Sequence, residues 1–238
     1  MLTEDPKSKK PNKSVAQAPS EPDDLSVNAH RQLIGYIGLT LPFLLIFIAM
    51  ARDGVERWRS LDSISAYYYT GGVAAFVGML VSLSLFLFTY RGYDNKYNWA
   101  DKAAAKIAAF AALLVAFFPT GAPTGVSALS WWTPITGRLH YVAAVVLFSM
   151  FAIFALWLFR LTAKGEKPRA DKRRRNLVYL ICGILIVASI VWAGVSRLNG
   201  KSIFWPESVA LIAFAVSWLV KGNAVKTIMS TARSLTRS

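Results

Sequence analysis

Six stretches of this chain run for 16 to 20 residues without a charge at their centres, at 33–50, 71–90, 103–118, 141–159, 177–195 and 203–220. A helix advances about 1.5 Å per residue, so roughly 20 apolar residues cross a hydrocarbon core about 30 Å thick. Inside lipid no water satisfies the backbone, so each stretch is expected to be helical. The alternating strands of about ten residues that build a membrane barrel are missing. Hydrophobic residues reach 55% of the chain, and the 17% that are charged lie almost entirely between the stretches. The sequence therefore predicts an all-α membrane protein, a six-helix transmembrane bundle. Its helices are expected at about 33–50, 71–90, 100–118, 140–160, 177–195 and 203–220.

Local chemistry refines these boundaries. Pro42 can bend the first helix. Trp99 and a snorkelling Lys106 place the start of the third helix before Ala103. Pro206 and Glu207 suit the first turn of the sixth, where a missing N–H is harmless and an acid meets the helix dipole. Ala49-Met50-Ala51 has the small-x-small form of a signal-peptidase site. The polar leader and the apolar core before it are both long for a signal peptide, so an uncleaved helix is expected. Residues 1–30, rich in Lys, Pro and acids, read as a disordered cytoplasmic tail. Residues 221–238 place Val225, Ile228, Met229, Ala232 and Leu235 on one helical face, the pattern of a basic amphipathic tail on the inner leaflet.

Lysine and arginine alternate in density from loop to loop. With the N terminus inside, the tail to Arg31, loops 91–102 and 162–176 and the C-terminal tail hold nineteen of them. The other side holds six: Arg52, Arg57, Arg59, Arg138, Arg197 and Lys201. This is a positive-inside pattern with both termini in the cytoplasm. The formal net charge of +14 is thus a topology signal, and no nucleic-acid partner is expected. The expected partners are membrane lipids. Anionic head groups would be drawn to Arg173, Arg174 and Arg175, each cation contributing on the order of 1 kcal/mol.

Ionisable residues in mid-membrane would mark transport or proton relay, and the six stretches have none at their centres. That counts against a small transporter, as does the lack of an inverted repeat. Ser82, Ser84, Thr89, Ser149, Ser189 and Ser217 are read as packing and backbone-bonding hydroxyls. Ala74 and Gly78 are read as points of close helix approach. Cys182, alone of its type, is read as a small buried residue.

The outward loops are richer. Asp62, Ser63 and Ser65 precede Tyr67 and Tyr68. Thr120 follows the third stretch, Trp131 and Trp132 lie in the next loop, and His140 and Glu207 stand at the starts of later helices. Asp62, Ser63, Ser65, Tyr67, Tyr68, Thr120, Trp131 and His140 are the candidate ligand-binding residues, an aromatic rim with a few hydrogen-bonding groups. An interfacial aromatic belt and an N-cap of the second helix are the plainer alternatives. His140, Asp62 and Glu207 could serve a membrane-embedded hydrolase or lipid-modifying enzyme, with zinc only if three loops meet. His30 lies on the other side. The loop 91–102 reads as solvated charge with interfacial aromatics. No cofactor is called for.

The sequences Ser63-Ile64-Ser65-Ala66-Tyr67-Tyr68, Phe86-Leu87-Phe88-Thr89-Tyr90-Arg91-Gly92-Tyr93, Phe118-Pro119-Thr120 and Leu139-His140 carry a likeness. Over roughly residues 30–220 the chain resembles a bacterial six-helix integral membrane family, domain of unknown function family nine hundred and ninety-eight. More distantly, the serine-rich segment before the second helix is similar to the Frag/DRAM/Sfk group, some of whose members are tied to lipid or glycolipid handling. The resemblance implies a bacterial inner (plasma) membrane location and supplies no reaction. The function expected is binding of lipid or an amphipathic ligand at the outward loops, or a membrane scaffold, rather than catalysis.

Overall fold

A computed structural model describes residues 22–54, 56, 61–92, 95–162 and 170–224. Six α-helices occur among them: α1 (Pro22–Asp53), α2 (Val73–Phe88), α3 (Asn98–Phe117), α4 (Pro134–Leu156), α5 (Ala170–Leu198) and α6 (Phe204–Lys221). Short 3-10 segments lie at Ile64–Tyr69 and Leu158–Arg160, and there is no strand among the described residues. Four spans are long and apolar enough to cross a membrane: Ser26–Asp53, Pro134–Arg160, Asp171–Leu198 and Phe204–Lys221. The other two helices fall short for different reasons. The apolar α2 has 16 residues, about 24 Å of helix. The 20-residue α3 carries Asp101, Lys102 and Lys106 in its first half.

Helix ends are set by capping as well as by apolar length, and there the structure departs from the expected bounds. Residues 22–30, expected to be disordered, form the start of α1. Pro22 and the two acids after it suit a helix first turn. The segment is also held from outside, because His30 Nε2 donates to the Phe86 carbonyl at 2.7 Å. Residues 1–21 lie outside the described residues. The α4 helix starts at Pro134 rather than near 140, because Thr133 and Thr136 form a reciprocal capping box around a proline first turn. The α5 helix starts at Ala170, so Arg173, Arg174 and Arg175 are helical. The amphipathic tail expected at 221–238 falls outside the described residues beyond Ala224.

Each helix packs on the next in sequence, and α6 returns to α1, which closes the six into a ring. The α6 span is the most enclosed, with 61% of it buried. Small residues allow the close contacts. Ala104, Ala105, Ala108, Ala109, Ala111 and Ala112 of α3 are all buried. On α1, a Cβ at Gly35 would come within 3.0 Å of the Ala215 carbonyl oxygen of α6. Ala74 and Gly78 have no such role: both are exposed, and a Cβ at Gly78 would meet nothing within 4 Å. Spacing alone could not tell which face of α2 turned inward.

Hydroxyls bond backbone as expected. Ser82 and Thr89 bond within their own helix, and Ser84 reaches across to the Ala109 carbonyl at 2.8 Å. Outside the ring, Phe43, Phe47, Leu85, Phe88, Phe110 and Val191 stand exposed. An apolar girdle of that kind is foreign to a water-soluble monomer and natural in lipid.

Candidate functional site

Residues 61–72, before α2, lie across one end of the ring, the end expected to face outward. Ser63 Oγ accepts from the Ala66 N–H at 3.1 Å and caps the 3-10 segment Ile64–Tyr69, not α2 itself. Three elements then pin this segment. From α6, the Glu207 carboxylate accepts from the Ile64 N–H at 2.7 Å, and the Ile203 N–H donates to the Asp62 carbonyl. From α4, His140 reaches the Ser65 hydroxyl at 2.8 Å. From the end of α3, the Thr120 carbonyl accepts from Tyr69 Oη at 2.7 Å.

The protons on His140 follow from its partners. Nδ1 lies 2.6 Å from the Phe118 carbonyl, which can only accept, so Nδ1 carries the hydrogen. In the neutral ring Nε2 is then an acceptor, and Ser65 Oγ donates to it. A serine hydroxyl bonded to a neutral, oriented imidazole is the arrangement of a nucleophile and its base. Here both members are buried, with His140 1% exposed. An apolar cavity of about 30 Å³ beside Ser65 and Glu207 is too small for a substrate.

The structure does not gather His140, Asp62 and Glu207 into one ligand set. Residues 62–65 run between His140 and Glu207, and Ser65 and Ile64 engage the two separately. Both imidazole nitrogens are occupied. No group of three His, Cys, Asp or Glu with a metal-holding arrangement occurs among the described residues.

Above this layer opens a cleft of about 430 Å³, lined by Asp62, Ser63, Thr120, Tyr141, Arg197 and Lys201 among others. Thr120 Oγ1 and Tyr141 Oη lie 2.7 Å apart. The Arg197 guanidinium stands 3.9 Å from the centre of the Tyr141 ring, a cation–π contact. The cleft thus joins two exposed cations to one carboxylate, several hydroxyls and an aromatic face.

Of the residues expected at a ligand site, Asp62, Ser63 and Thr120 line this cleft. Ser65 and His140 lie beneath it. Tyr67 is fully buried core, and burial pushes its phenol up to about 12. Tyr68 is half-buried, edge-on to Phe76. Tyr69, which the aromatic run contains, has its phenol raised by burial and by the neighbouring Tyr68 and Tyr141. Trp131 is exposed, whereas Trp132 donates to the Pro119 carbonyl at 3.2 Å. In the sequence Arg197 and Lys201 count only toward orientation. Their signal was present, as cations on the side where cations are sparse.

No family model, curated protein or solved structure matches the chain. The fold and its apolar girdle define a class: an all-helical, multi-pass membrane protein.

Proposed function

We propose that this protein binds an amphipathic ligand with an anionic head group, held in the cleft at the outer end of the bundle. The observation that carries this is the cleft's pairing of Arg197 and Lys201 with hydroxyls and the Tyr141 ring, at the mouth of a ring of apolar helices. The cations and hydroxyls would take a phosphate or carboxylate, while the acyl part lies along the girdle. In this reading all six helices span a bacterial inner membrane with both termini in the cytoplasm, as the basic loops require. The likeness to the six-helix family of unknown function is compatible with it. The exposed Arg173 and Arg174 attract anionic lipid on the opposite leaflet. A membrane scaffold would need the same surfaces without the cleft.

The test is lipid retention. Arg197→Gln combined with Lys201→Gln is expected to weaken binding of a short-chain phosphatidylglycerol about a hundredfold in detergent, each lost charge-assisted bond being worth about 1.4 kcal/mol, or tenfold. Unchanged binding removes the cleft as the site and leaves the scaffold reading.

A second reading rests on the Ser65–His140 contact: a serine nucleophile activated by an oriented imidazole, for acyl transfer from lipid. A fluorophosphonate probe decides it. Labelling of the native protein that disappears in Ser65→Ala supports catalysis. With no labelling, the pair is a latch. Ser65→Ala should then only destabilise, by about 1–3 kcal/mol, since it leaves a buried ring nitrogen without a donor.

A further inference from the structure

The end of the bundle opposite the cleft gathers cations away from water. Arg31 comes from α1, Lys172 and Arg175 from α5, and Lys221 from α6. Arg31 and Lys221 are each 8% exposed. Lys172 and Arg175 are half-buried. All four stand around one aromatic floor. The buried Trp218 ring lies 5.0 Å from both the Tyr90 and Phe159 rings, and Phe159 lies 5.5 Å from Tyr179. Arg31 is 6.0 Å from the Tyr90 ring centre, Lys221 5.1 Å from that of Phe159, and Lys172 5.8 Å from that of Tyr179.

Several polar contacts in this cluster go to neutral groups. Lys172 Nζ donates to the Phe159 carbonyl at 2.7 Å, and Arg175 donates to the Asn223 side-chain oxygen at 3.1 Å. Lys221 lies within electrostatic reach of Arg31, Lys172 and Arg175. Asp101 of α3 is the one carboxylate among the described residues whose charge also reaches it. Tyr90 Oη donates to Asp101 at 3.3 Å. Counting Asp101 in full, four cations against one acid leave a clear positive excess. Two donors point to where it could be met. Arg31 Nε and Arg175 Nε are buried and have no hydrogen-bond partner among the described residues. A cavity of about 260 Å³ at this same end is lined by His30, Tyr90 and Arg91 among others, and shares Tyr90 with the cluster.

Burying like charges together costs several kcal/mol per ion unless an anion enters with them or a lysine gives up its proton, and the two arginines cannot do the latter. Guanidinium forks and ammonium groups converging from separate helices match a tetrahedral oxyanion. We propose that this cluster is a second binding site, for a phosphate group, presented either as free phosphate or as the head group of an anionic phospholipid. Its occupant would tie α1, α5 and α6 together where the helix ring closes. The exposed Arg173 and Arg174 add surface attraction and are not part of it.

The experiment uses the full chain in neutral detergent and follows thermal unfolding. One arm titrates inorganic phosphate against chloride at matched ionic strength. The other titrates phosphatidylglycerol against phosphatidylcholine in mixed micelles. A saturable rise in Tm is expected in one arm or both. With the outer cleft disabled by Arg197→Gln and Lys201→Gln, a rise in the lipid arm alone assigns the head group, a rise with inorganic phosphate alone assigns the free ion, and a rise in both means either presentation fits. Arg31→Gln and Lys172→Gln should each raise the half-saturating concentration about tenfold, the loss of one charge-assisted partner. Arg173→Gln with Arg174→Gln should leave the half-saturating inorganic phosphate unchanged, and should raise that of phosphatidylglycerol less than either single change, through lost surface attraction alone. If Arg31→Gln does not fold, Lys172→Gln on the half-buried rim decides with the native titration. The proposal is overturned if neither arm saturates in the native protein. It is overturned equally if Lys172→Gln and any folded Arg31→Gln behave as native, or if the shift follows Arg197→Gln with Lys201→Gln instead.

Discussion

Tyr67 sits in a run of three tyrosines that reads as an interfacial belt, yet its ring is sealed inside the bundle and its hydroxyl has no hydrogen-bond partner among the described residues. A buried hydroxyl without a partner contributes nothing to offset its lost hydration. Tyr67→Phe is therefore expected to be neutral, or to stabilise by up to about 1 kcal/mol. The raised phenol adds a pH dependence. Between its ordinary 10.0 and about 12, the folded chain keeps a proton that the unfolded chain releases, so stability falls as pH rises through that window. Thermal unfolding from pH 9 to 12 should show a smaller alkaline loss in Tyr67→Phe than in the native chain. An equal loss in both would mean that Tyr67 reaches solvent in the folded state. Residue identity alone could not separate Tyr67 from Tyr68, because the 3-10 turn that aims one ring inward and leaves the other half-exposed is set by Ser63, His140 and Glu207 together.

At the scale of the helix, the apolar lengths were legible and the ends were not. Hydropathy marks where a chain tolerates oil. Capping boxes, prolines and acids set where hydrogen bonding begins, so α1, α4 and α5 all start earlier than their apolar cores. The contact face of a helix was likewise hidden. Gly35 marks the tight α1–α6 seam, while Gly78 faces outward. Gly35→Val should cost about 1–3 kcal/mol by forcing the two helices apart. Gly78→Ala should be tolerated or stabilise by up to about 1 kcal/mol through helix propensity. Unfolding in detergent distinguishes them. A harmless Gly35→Val would show that the seam is looser than its geometry.

For the whole molecule the decisive quantity is charge by side. With Cys182 replaced by alanine, single cysteines at Lys96→Cys and Ser202→Cys are expected to react with a membrane-impermeant maleimide from opposite faces of intact cells. Ser202→Cys should label from outside, and Lys96→Cys only after the membrane is opened. Labelling of both from one face would break the even helix count on which the orientation rests. The same axis separates the two cation-lined sites, the open cleft by Arg197 and the buried cluster by Arg31.

Stretches too long and too oily for water, alternating with basic loops, determined that this chain is helical and belongs in a bilayer. Those are sums over consecutive residues, and a sequence displays such sums directly. Which groups meet was decided only when the ring closed. Ser65 and His140 lie 75 positions apart, Ile64 and Glu207 143 apart, and both pairs touch only in the packed ring. Pairwise contact between distant residues depends on helix rotation and depth, and neither is written in hydropathy.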